Sequence, residues 1–258
     1  MTTLRVGVQL SPQHTTYAAY AQTVQEADAL GVDTIWNWDH FFPPFEDARH
    51  GDHFEAWTLL TAMAMLTQRA EVGCLVTCNS YRNPALLANM AKTVDHISGG
   101  RLILGLGAGW FETDYREYGY HFGTGRERLK ALETALPLIK QRWAVETPLP
   151  RRYPIPILIG GDGERVTLRL VAQYADLWNG GFGSPELFRH KCAVLEQWCT
   201  TVGRDPTTIE RTVSLRPADD ATYDHCVTAG AQHIILMIDS PWDLTPVERL
   251  VRWRDARL

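Results

Sequence analysis

The sequence contains no run of lysine and arginine residues, and its 30 acidic side chains outnumber the 25 basic ones. The formal net charge of -5 argues against nucleic acid or an anionic membrane surface as the main partner. No apolar run reaches the roughly 18 residues that a membrane span requires. The amino-terminal segment also lacks the basic region and long apolar core of a secretory signal. These absences predict a soluble protein with no membrane partner.

Cysteine is infrequent, and its spacing matches no known framework. The chain has five cysteines, an odd number, and no two of them have the C-x-x-C spacing of a redox or zinc motif. Scattered cysteines of this kind are typical of a reducing compartment, so we expect a cytoplasmic protein. The five residues are Cys74, Cys78, Cys192, Cys199 and Cys226.

Several catalytic signatures are missing as well. The sequence has no G-x-S-x-G elbow, no P-loop and no Rossmann fingerprint, which disfavours a hydrolase, a nucleoside triphosphatase and an ordinary dinucleotide-binding enzyme. No two histidines have the i, i+4 spacing of a metalloprotease helix, and no cysteine and histidine spacing matches a zinc site. We therefore predict no catalytic metal.

What the sequence does contain is a repeat of short apolar runs and helical segments. Residues 72–111 show the unit most clearly, because two such runs flank a helical segment that starts at Pro84 and stops at the glycine pair 99–100. The predicted strands are 5–10, 34–38, 72–77, 102–106, 155–159, 176–179, 209–215 and 232–238. The other predicted helices are 15–30, 55–67, 125–142, 164–174, 185–202 and 246–256.

Eight strands, each followed by a helical pattern, fit a (β/α)8 barrel. The 45% hydrophobic composition suffices for one full core, so we predict a single domain spanning residues 1–258. An open, doubly wound sheet is the alternative, because periodicity alone does not show that the sheet closes. In either fold, the residues that follow the strands gather at the carboxyl edge of the sheet, where ligands bind.

Asp39 and His40 close the second predicted strand. A carboxylate beside an imidazole supplies a hydrogen-bond acceptor and a proton carrier, which suits proton transfer at a reacting centre. The alternative is a helix-capping aspartate and a histidine satisfied within the core. Thr77 ends the third predicted strand and Asn79 follows it, so both are expected at the same edge of the sheet.

A glycine-rich turn follows the fourth strand. It would let backbone amides approach a ligand closely, although the same residues also serve ordinary tight turns. The turn consists of Gly107, Ala108, Gly109 and Trp110.

A second glycine-rich run, residues 160–163, lies between the fifth strand and a predicted helix. The amides of Gly160 and Gly161 would form an anion site at the helix start, and Arg165 would add a contact to a phosphate. Asp162 instead suits a helix cap without a ligand. Trp178 and Asn179 end the sixth strand, and aromatic residues beside these strand ends would suit a flat ligand, although such residues are more often core.

Three segments together resemble the luciferase-like family of flavin and deazaflavin oxidoreductases, particularly its branch that uses coenzyme F420. They are TIWNWDHF at 34–41, LVTCNSYRNPALLANMAKTVDHISGGRLILGLGAGW at 75–110 and ILIGGDGERVTLRLVAQYADLWN at 157–179. The combination in this order is far more specific than any one segment.

The resemblance implies a (β/α)8 barrel that holds a tricyclic cofactor ring at its carboxyl-terminal mouth. Asp39 and His40 would flank the ring, with His40 as the acid or base, and a non-proline cis peptide would lie at Leu75-Val76 behind it. The other residues implied in cofactor binding are Thr77, Asn79, Gly107, Ala108, Gly109, Trp110, Gly160, Gly161, Arg165, Trp178 and Asn179.

Trp110 is a departure from the resemblance, because family members that oxidise sugar phosphates carry an acidic residue there. Sugar-phosphate oxidation is therefore disfavoured. The predicted activity is F420-dependent hydride transfer with a small organic substrate, either reduction of an activated C=C or C=N bond or oxidation of an alcohol. The alternatives are an FMN-dependent monooxygenase and a non-catalytic flavin-binding protein. The resemblance also points to a homodimer.

Overall fold

Parallel strands alternate with helices along the chain, as the repeat of apolar runs predicts. The computed structural model describes residues 4–44, 51–181 and 184–257. The strands are β1 (Arg5–Leu10), β2 (Thr34–Asn37), β3 (Glu71–Cys74), β4 (Thr77–Cys78), β5 (Leu104–Gly107), β6 (Ile157–Gly160), β7 (Leu177–Asn179), β8 (Glu210–Leu215) and β9 (His233–Ile238). The α-helices are α1 (Tyr17–Leu30), α2 (Ala56–Leu66), α3 (Pro84–Ser98), α4 (Glu112–Glu117), α5 (Gly125–Val145), α6 (Thr167–Tyr174), α7 (Pro185–Val202), α8 (Asp220–Thr228) and α9 (Thr245–Asp255).

The strands form one parallel sheet in the order β3-β2-β1-β9-β8-β7-β6-β5-β4. The two ends of this order, β3 and β4, are consecutive in the chain and are separated only by Leu75 and Val76. A parallel bridge between Val72 and Leu102 also joins the two ends of the sheet. The sheet therefore closes into a (β/α)8 barrel in which β3 and β4 share one strand position. The barrel prediction is confirmed, and the alternative of an open doubly wound sheet is wrong.

The third strand, predicted as one run over 72–77, is interrupted at Leu75 and Val76. The Leu75 amide donates to the Asn37 carbonyl at 2.8 Å, and the Leu75 carbonyl accepts from Gln9 Nε2 at 2.7 Å. These two bonds attach the interruption to β1 and β2, and the ladder resumes at Thr77. The Leu75-Val76 peptide bond is cis, in agreement with the prediction from the family resemblance.

The helix predicted over 164–174 begins three residues late, at Thr167. Asp162, the expected capping residue, instead accepts a hydrogen bond from the Gly181 amide at 2.7 Å. No side chain caps α6, so residues 164–166 lack the capping hydrogen bond that would favour an earlier start of the helix. By contrast, α3 begins where predicted, because Asn83 caps it and Pro84 occupies its first turn.

Large apolar side chains fill the barrel interior. Leu75 and Val76 pack on top of this cluster, at the level where the third strand is interrupted. The packing stops there, which leaves space at the carboxyl ends of the strands. The interior cluster consists of Trp36, Ile103, Leu158, Leu177 and Ile235.

Two findings bear on the expectations from composition. All five cysteines are buried and free. Among the helices in residues 4–44, 51–181 and 184–257, none combines the length and apolar character that crossing a membrane takes.

Candidate active site

A cavity of about 600 Å³ opens at the carboxyl ends of the strands. Most of the residues that the sequence assigns to a site meet there: Asp39, His40, Leu75, Val76, Gly107, Ala108, Gly109, Trp110, Gly160, Gly161 and Asn179 all line it. Further lining residues, which were not predicted, include Gln9, Trp38, Cys78, Tyr81, Ser214, Arg216, Met237 and Asp239. Residues at the carboxyl ends of the strands therefore meet in one cavity, and its lining also includes β1, β8 and β9, where no site residue was predicted.

His40 is held by a buried carboxylate. Its Nδ1 lies 2.7 Å from Oδ2 of Asp114, and because a carboxylate only accepts, Nδ1 carries the proton of this hydrogen bond. The side chain of His40 is 15% exposed, whereas that of Asp114 is fully buried. Nε2 is therefore the imidazole nitrogen left for exchange with a molecule in the cavity.

Asp114 lies in α4 and accepts three further hydrogen bonds. The backbone amides of Phe41 and Phe42 donate to Oδ1 at 3.0 and 3.2 Å, and the Tyr81 hydroxyl donates to Oδ2 at 3.0 Å. Burial raises the pKa of Tyr81, so its hydroxyl keeps the proton that it donates. Four donors thus fix one carboxylate, and the carboxylate in turn fixes the imidazole.

No sequence pattern indicates this role for Asp114, because the residue stands in a polar segment where no helix is predicted and lies 74 positions from its partner. No local motif connects two such positions. Only the packing of the loop after β5 against the loop after β2 brings them together.

Asp39, predicted to act beside His40, has a different set of contacts. Arg82 forms a two-pronged ion pair with it, at 2.6 Å from Nη1 to Oδ2 and 3.0 Å from Nη2 to Oδ1, and the Cys78 amide donates at 3.0 Å. Burial raises the pKa of the Asp39 carboxyl, and the Arg82 guanidinium opposes that rise. Arg82 also pairs with Glu55, the capping residue of α2. These contacts make Asp39 an anchor between β2, β4 and α2.

Leu75 and Val76 form the floor of the cavity, and two predicted glycines make room for them. A Cβ on Gly107 would come within 2.6 Å of Val76 Cγ2, and a Cβ on Gly160 within 2.9 Å of Val76 Cγ1. These glycines therefore accommodate a neighbouring side chain of the protein itself. Leu75 and Val76 thus form an apolar floor, and the backbone of the two glycines lies beside it.

The wall beside β6 and β7 is the predicted anion site. Gly161 has φ +123°, a conformation that favours glycine, and its carbonyl accepts from Trp178 Nε1 at 2.9 Å. Trp178 itself is buried behind the wall and stacks on Phe188. Arg165 is exposed and lies outside the lining, so the predicted phosphate contact is not preformed.

Two other predicted residues, Thr77 and Asn79, are buried and lie outside the lining. Thr77 Oγ1 accepts a hydrogen bond from Trp57 Nε1 at 3.2 Å, and the backbone amide of Asn79 donates to the Gly107 carbonyl at 3.0 Å. Both residues therefore support the strand ends that carry the cavity. In the ranges that the structure describes, no three or more histidine, cysteine, aspartate or glutamate side chains are grouped to hold a metal ion.

The opposite wall, at the ends of β8 and β9, carries an ion pair between Arg216 and Asp239. Asp239 also accepts from Ser11 Oγ at 2.7 Å. Ser214 lines the cavity next to Asn179, whose Nδ2 donates to it at 3.1 Å. Taking the residues after the seventh and eighth predicted strands as candidates would have found Arg216 and Asp239.

Residues 1–241 match the family model described as luciferase-like monooxygenase. The F420-dependent glucose-6-phosphate dehydrogenase of Amycolatopsis mediterranei is 25% identical over 243 residues, which cover 86% of this chain and 71% of the relative. The F420-dependent hydroxymycolic acid dehydrogenase of Mycobacterium tuberculosis is 28% identical over 229 residues, covering 81% of this chain and 61% of the relative. A solved structure of an F420-dependent secondary alcohol dehydrogenase in complex with an F420-acetone adduct has a TM-score of 0.82 at 16% identity, covering 97% of this chain and 98% of that one, and this likeness concerns the fold.

Proposed function

Because the chain belongs to the luciferase-like monooxygenase family, we propose that it is an F420-dependent oxidoreductase that transfers a hydride between the deazaflavin and a small organic substrate. The observation that carries the proposal is the pairing of His40 with Asp114 at 2.7 Å beside an apolar cavity. Relatives at 25% and 28% identity bear F420-dependent names, which supports the choice of cofactor.

The cavity floor suits the flat ring of a deazaflavin. Leu75 and Val76 present apolar atoms, and the glycines at positions 107 and 160 add no side chain at the neighbouring strand ends. Gly160 and Gly161 would lie beside the cofactor's phosphate, and because the Gly161 amide already donates to the Asn179 carbonyl at 2.9 Å, these glycines would serve by allowing a close approach of the ligand to the backbone. When bound, the deazaflavin supplies hydride exchange.

The side chains above this floor supply the proton transfer. His40 would take the hydroxyl proton of an alcohol on Nε2 during oxidation, or give a proton to the developing alkoxide during reduction. Asp114 would keep the imidazole oriented and would balance its positive charge when it is protonated. Trp38 and Trp110, with ring centroids 5.7 and 5.6 Å from that of His40, would limit the access of water.

The test of the cofactor is a pair of fluorescence titrations of the purified protein, one with F420 and one with FMN. Micromolar F420 binding together with absent FMN binding is expected. Preference for FMN would instead favour the flavin monooxygenase alternative, and binding of neither would overturn the proposal.

The test of the chemistry uses His40→Ala with a panel of alcohols and oxidised F420, and of enones and imines with reduced F420. Turnover should fall about 10²- to 10⁴-fold, the usual contribution of a general acid or base, with F420 affinity nearly unchanged. His225→Ala, at an exposed histidine of α8 that lies outside the cavity lining, is the control. Full turnover by His40→Ala would point to another proton carrier, whereas F420 binding without any turnover by the wild-type protein would point to a non-catalytic binding protein.

We also infer a cytoplasmic homodimer. The neighbouring helices α2 and α3 expose Met65, Leu86 and Ile97, and burial of such side chains would favour self-association. Sedimentation equilibrium of the purified protein measures the mass directly, and a monomer at micromolar concentration would contradict the inference.

A further inference from the structure

The charges of the cavity lining carry information about the substrate. Among the described lining residues, Arg216 is the one lysine or arginine, and it is already paired with Asp239. Asp162 and Asp39 add further carboxylates to the lining. An anionic group entering the cavity beside His40 would therefore lose water without gaining an unpaired cation, which is costly.

The surroundings of His40 are aromatic. The rings of Trp38, Trp110 and Phe111 approach the imidazole edge-on, with centroid distances of 5.7, 5.6 and 5.6 Å. Trp110 is 56% exposed, so it stands at the mouth of the cavity and not in the core. Trp110 and His40 both line the cavity, so a substrate at His40 Nε2 would lie beside the indole ring, and such a surface favours hydrocarbon over a hydrated charge.

Trp110 is held in place by the loop that carries it. The carbonyl of its neighbour Gly109 accepts from Arg128 Nε at 3.0 Å, and Gly109 has φ +80°. A Cβ at Gly109 would fall within 2.0 Å of the Tyr115 hydroxyl, so the backbone follows a path that only glycine allows. The backbone of the loop that carries Trp110 is therefore fixed beside the cavity.

Resting on the F420-dependent function proposed above, we propose that the substrate is an uncharged alcohol, or the corresponding carbonyl compound, with apolar substituents, and that Trp110 selects it against anionic substrates. In the oxidation, the carbinol carbon gives its hydride to F420 and the hydroxyl gives its proton to His40 Nε2. The C–H and O–H bonds break, the C=O bond forms, and the two electrons leave with the hydride.

A matched pair of alcohols tests the selection, because 2-pentanol and 3-hydroxybutyrate both carry a secondary hydroxyl and differ mainly in the carboxylate. With protein and oxidised F420, kcat/KM should be about 100-fold or more higher for 2-pentanol. Trp110→Glu should reduce that preference at least about tenfold, whereas Trp110→Phe, which keeps an aromatic wall, should retain most of it.

A binding measurement accompanies the kinetics. Saturation-transfer difference NMR with protein and F420 should show 2-pentanone bound and acetoacetate not bound, and Trp110→Glu should weaken the ketone signal. F420 titration of each variant checks that the cofactor site is intact.

The outcomes separate the two proposals. Equal use of both alcohols, a preference for the anion, or an unchanged preference in Trp110→Glu overturns the selection by Trp110 while the cofactor assignment stands. Binding of F420 with neither oxidation of 2-pentanol nor reduction of 2-pentanone overturns the substrate class. Failure of the wild-type protein to bind F420 overturns the proposed function, and the substrate inference falls with it.

Discussion

The Nδ1 atom of His40 lies 2.7 Å from Oδ2 of Asp114, across two loops that are 74 residues apart in the sequence. Asp114→Asn keeps the size of the side chain and removes the charge. We expect kcat to fall about 10- to 1000-fold, because the imidazolium loses its counter-charge and its fixed orientation. KM and F420 affinity should change little, because neither depends on the charge at Asp114. Steady-state kinetics and F420 titration measure these separately.

Tyr81→Phe provides the graded comparison. It removes one of the donors to Asp114 and leaves the His40 bond in place, so its effect on kcat should be several-fold smaller. Equal losses of kcat in Tyr81→Phe and Asp114→Asn would mean that the hydrogen-bond network affects turnover only through the stability of the fold.

The contact between Gly107 and Val76 predicts a packing effect on the cavity floor. Gly107→Ala places a Cβ within 2.6 Å of Val76 Cγ2, and such overpacking costs about 1–3 kcal/mol of stability. F420 affinity should fall as well, because Val76 must shift. Urea unfolding and F420 titration are the measurements.

Val76→Ala in the Gly107→Ala background should recover part of both losses, since it removes the clashing methyl groups. Gly125→Ala is the control, because a Cβ there meets only Arg128 Nη2 at 3.8 Å. Failure of the double variant to recover any stability would show that the floor does not depend on this contact.

The ion pair of Arg82 with Asp39 predicts a large effect on stability. Arg82→Met leaves a buried carboxylate without its cation, which typically costs about 3–5 kcal/mol. Adding Asp39→Asn should restore part of the loss, because the unpaired charge disappears. Arg116→Met, at a side chain 61% exposed, should change the free energy of unfolding by less than about 0.5 kcal/mol. A loss in Arg82→Met no larger than in Arg116→Met would contradict this account.

His53 predicts a pH dependence of stability. Burial, with a smaller effect of His40, lowers the pKa of His53 from 6.5 to about 4, although Asp114 opposes the shift. Its Nε2 is buried without a hydrogen-bond partner among the described residues. Between these two pH values the unfolded chain binds a proton that the folded protein excludes, so stability falls as pH drops from 6.5 towards 4.

The expected loss is about 1–3 kcal/mol over that range. His53→Gln does not titrate at this position and should remove that part of the slope in urea unfolding between about pH 7 and about pH 4.5, a range that covers most of the interval between the two pKa values. His225→Gln, at an exposed histidine of α8, is the matched control. If the stability of the wild type and of His53→Gln depended on pH with the same slope, His53 would not be the cause of the pH dependence.

The barrel could be predicted from the sequence because its causes are local. Each strand and helix is determined by residues close to it in the sequence. For example, Asn83 and Pro84 start α3, and the glycine pair after it ends the helix. The interruption at Leu75 and Val76 was accessible only through resemblance to a family, since nothing in the local residues distinguishes it from a continuous strand.

The cavity was predictable from strand ends, whereas the contacts within it were not. His40 was identified from its position after β2, but its partner Asp114 comes from a loop whose path depends on tertiary packing. Trp178 shows the opposite limit, because it lies near the end of the expected strand yet packs behind the wall against Phe188. Position along a strand tells which edge a residue reaches, but not which side chain it meets there.

The loop after β5 carries Trp110 and, four positions later, Asp114 in α4. One of these residues is proposed to select the substrate and the other to orient the proton carrier. An exchange of this loop with that of a relative would therefore replace both properties at once, and an insertion between the two residues would separate them. Diversification of this enzyme by loop exchange is coupled to its proton transfer, whereas point substitution at position 110 alone leaves that machinery in place.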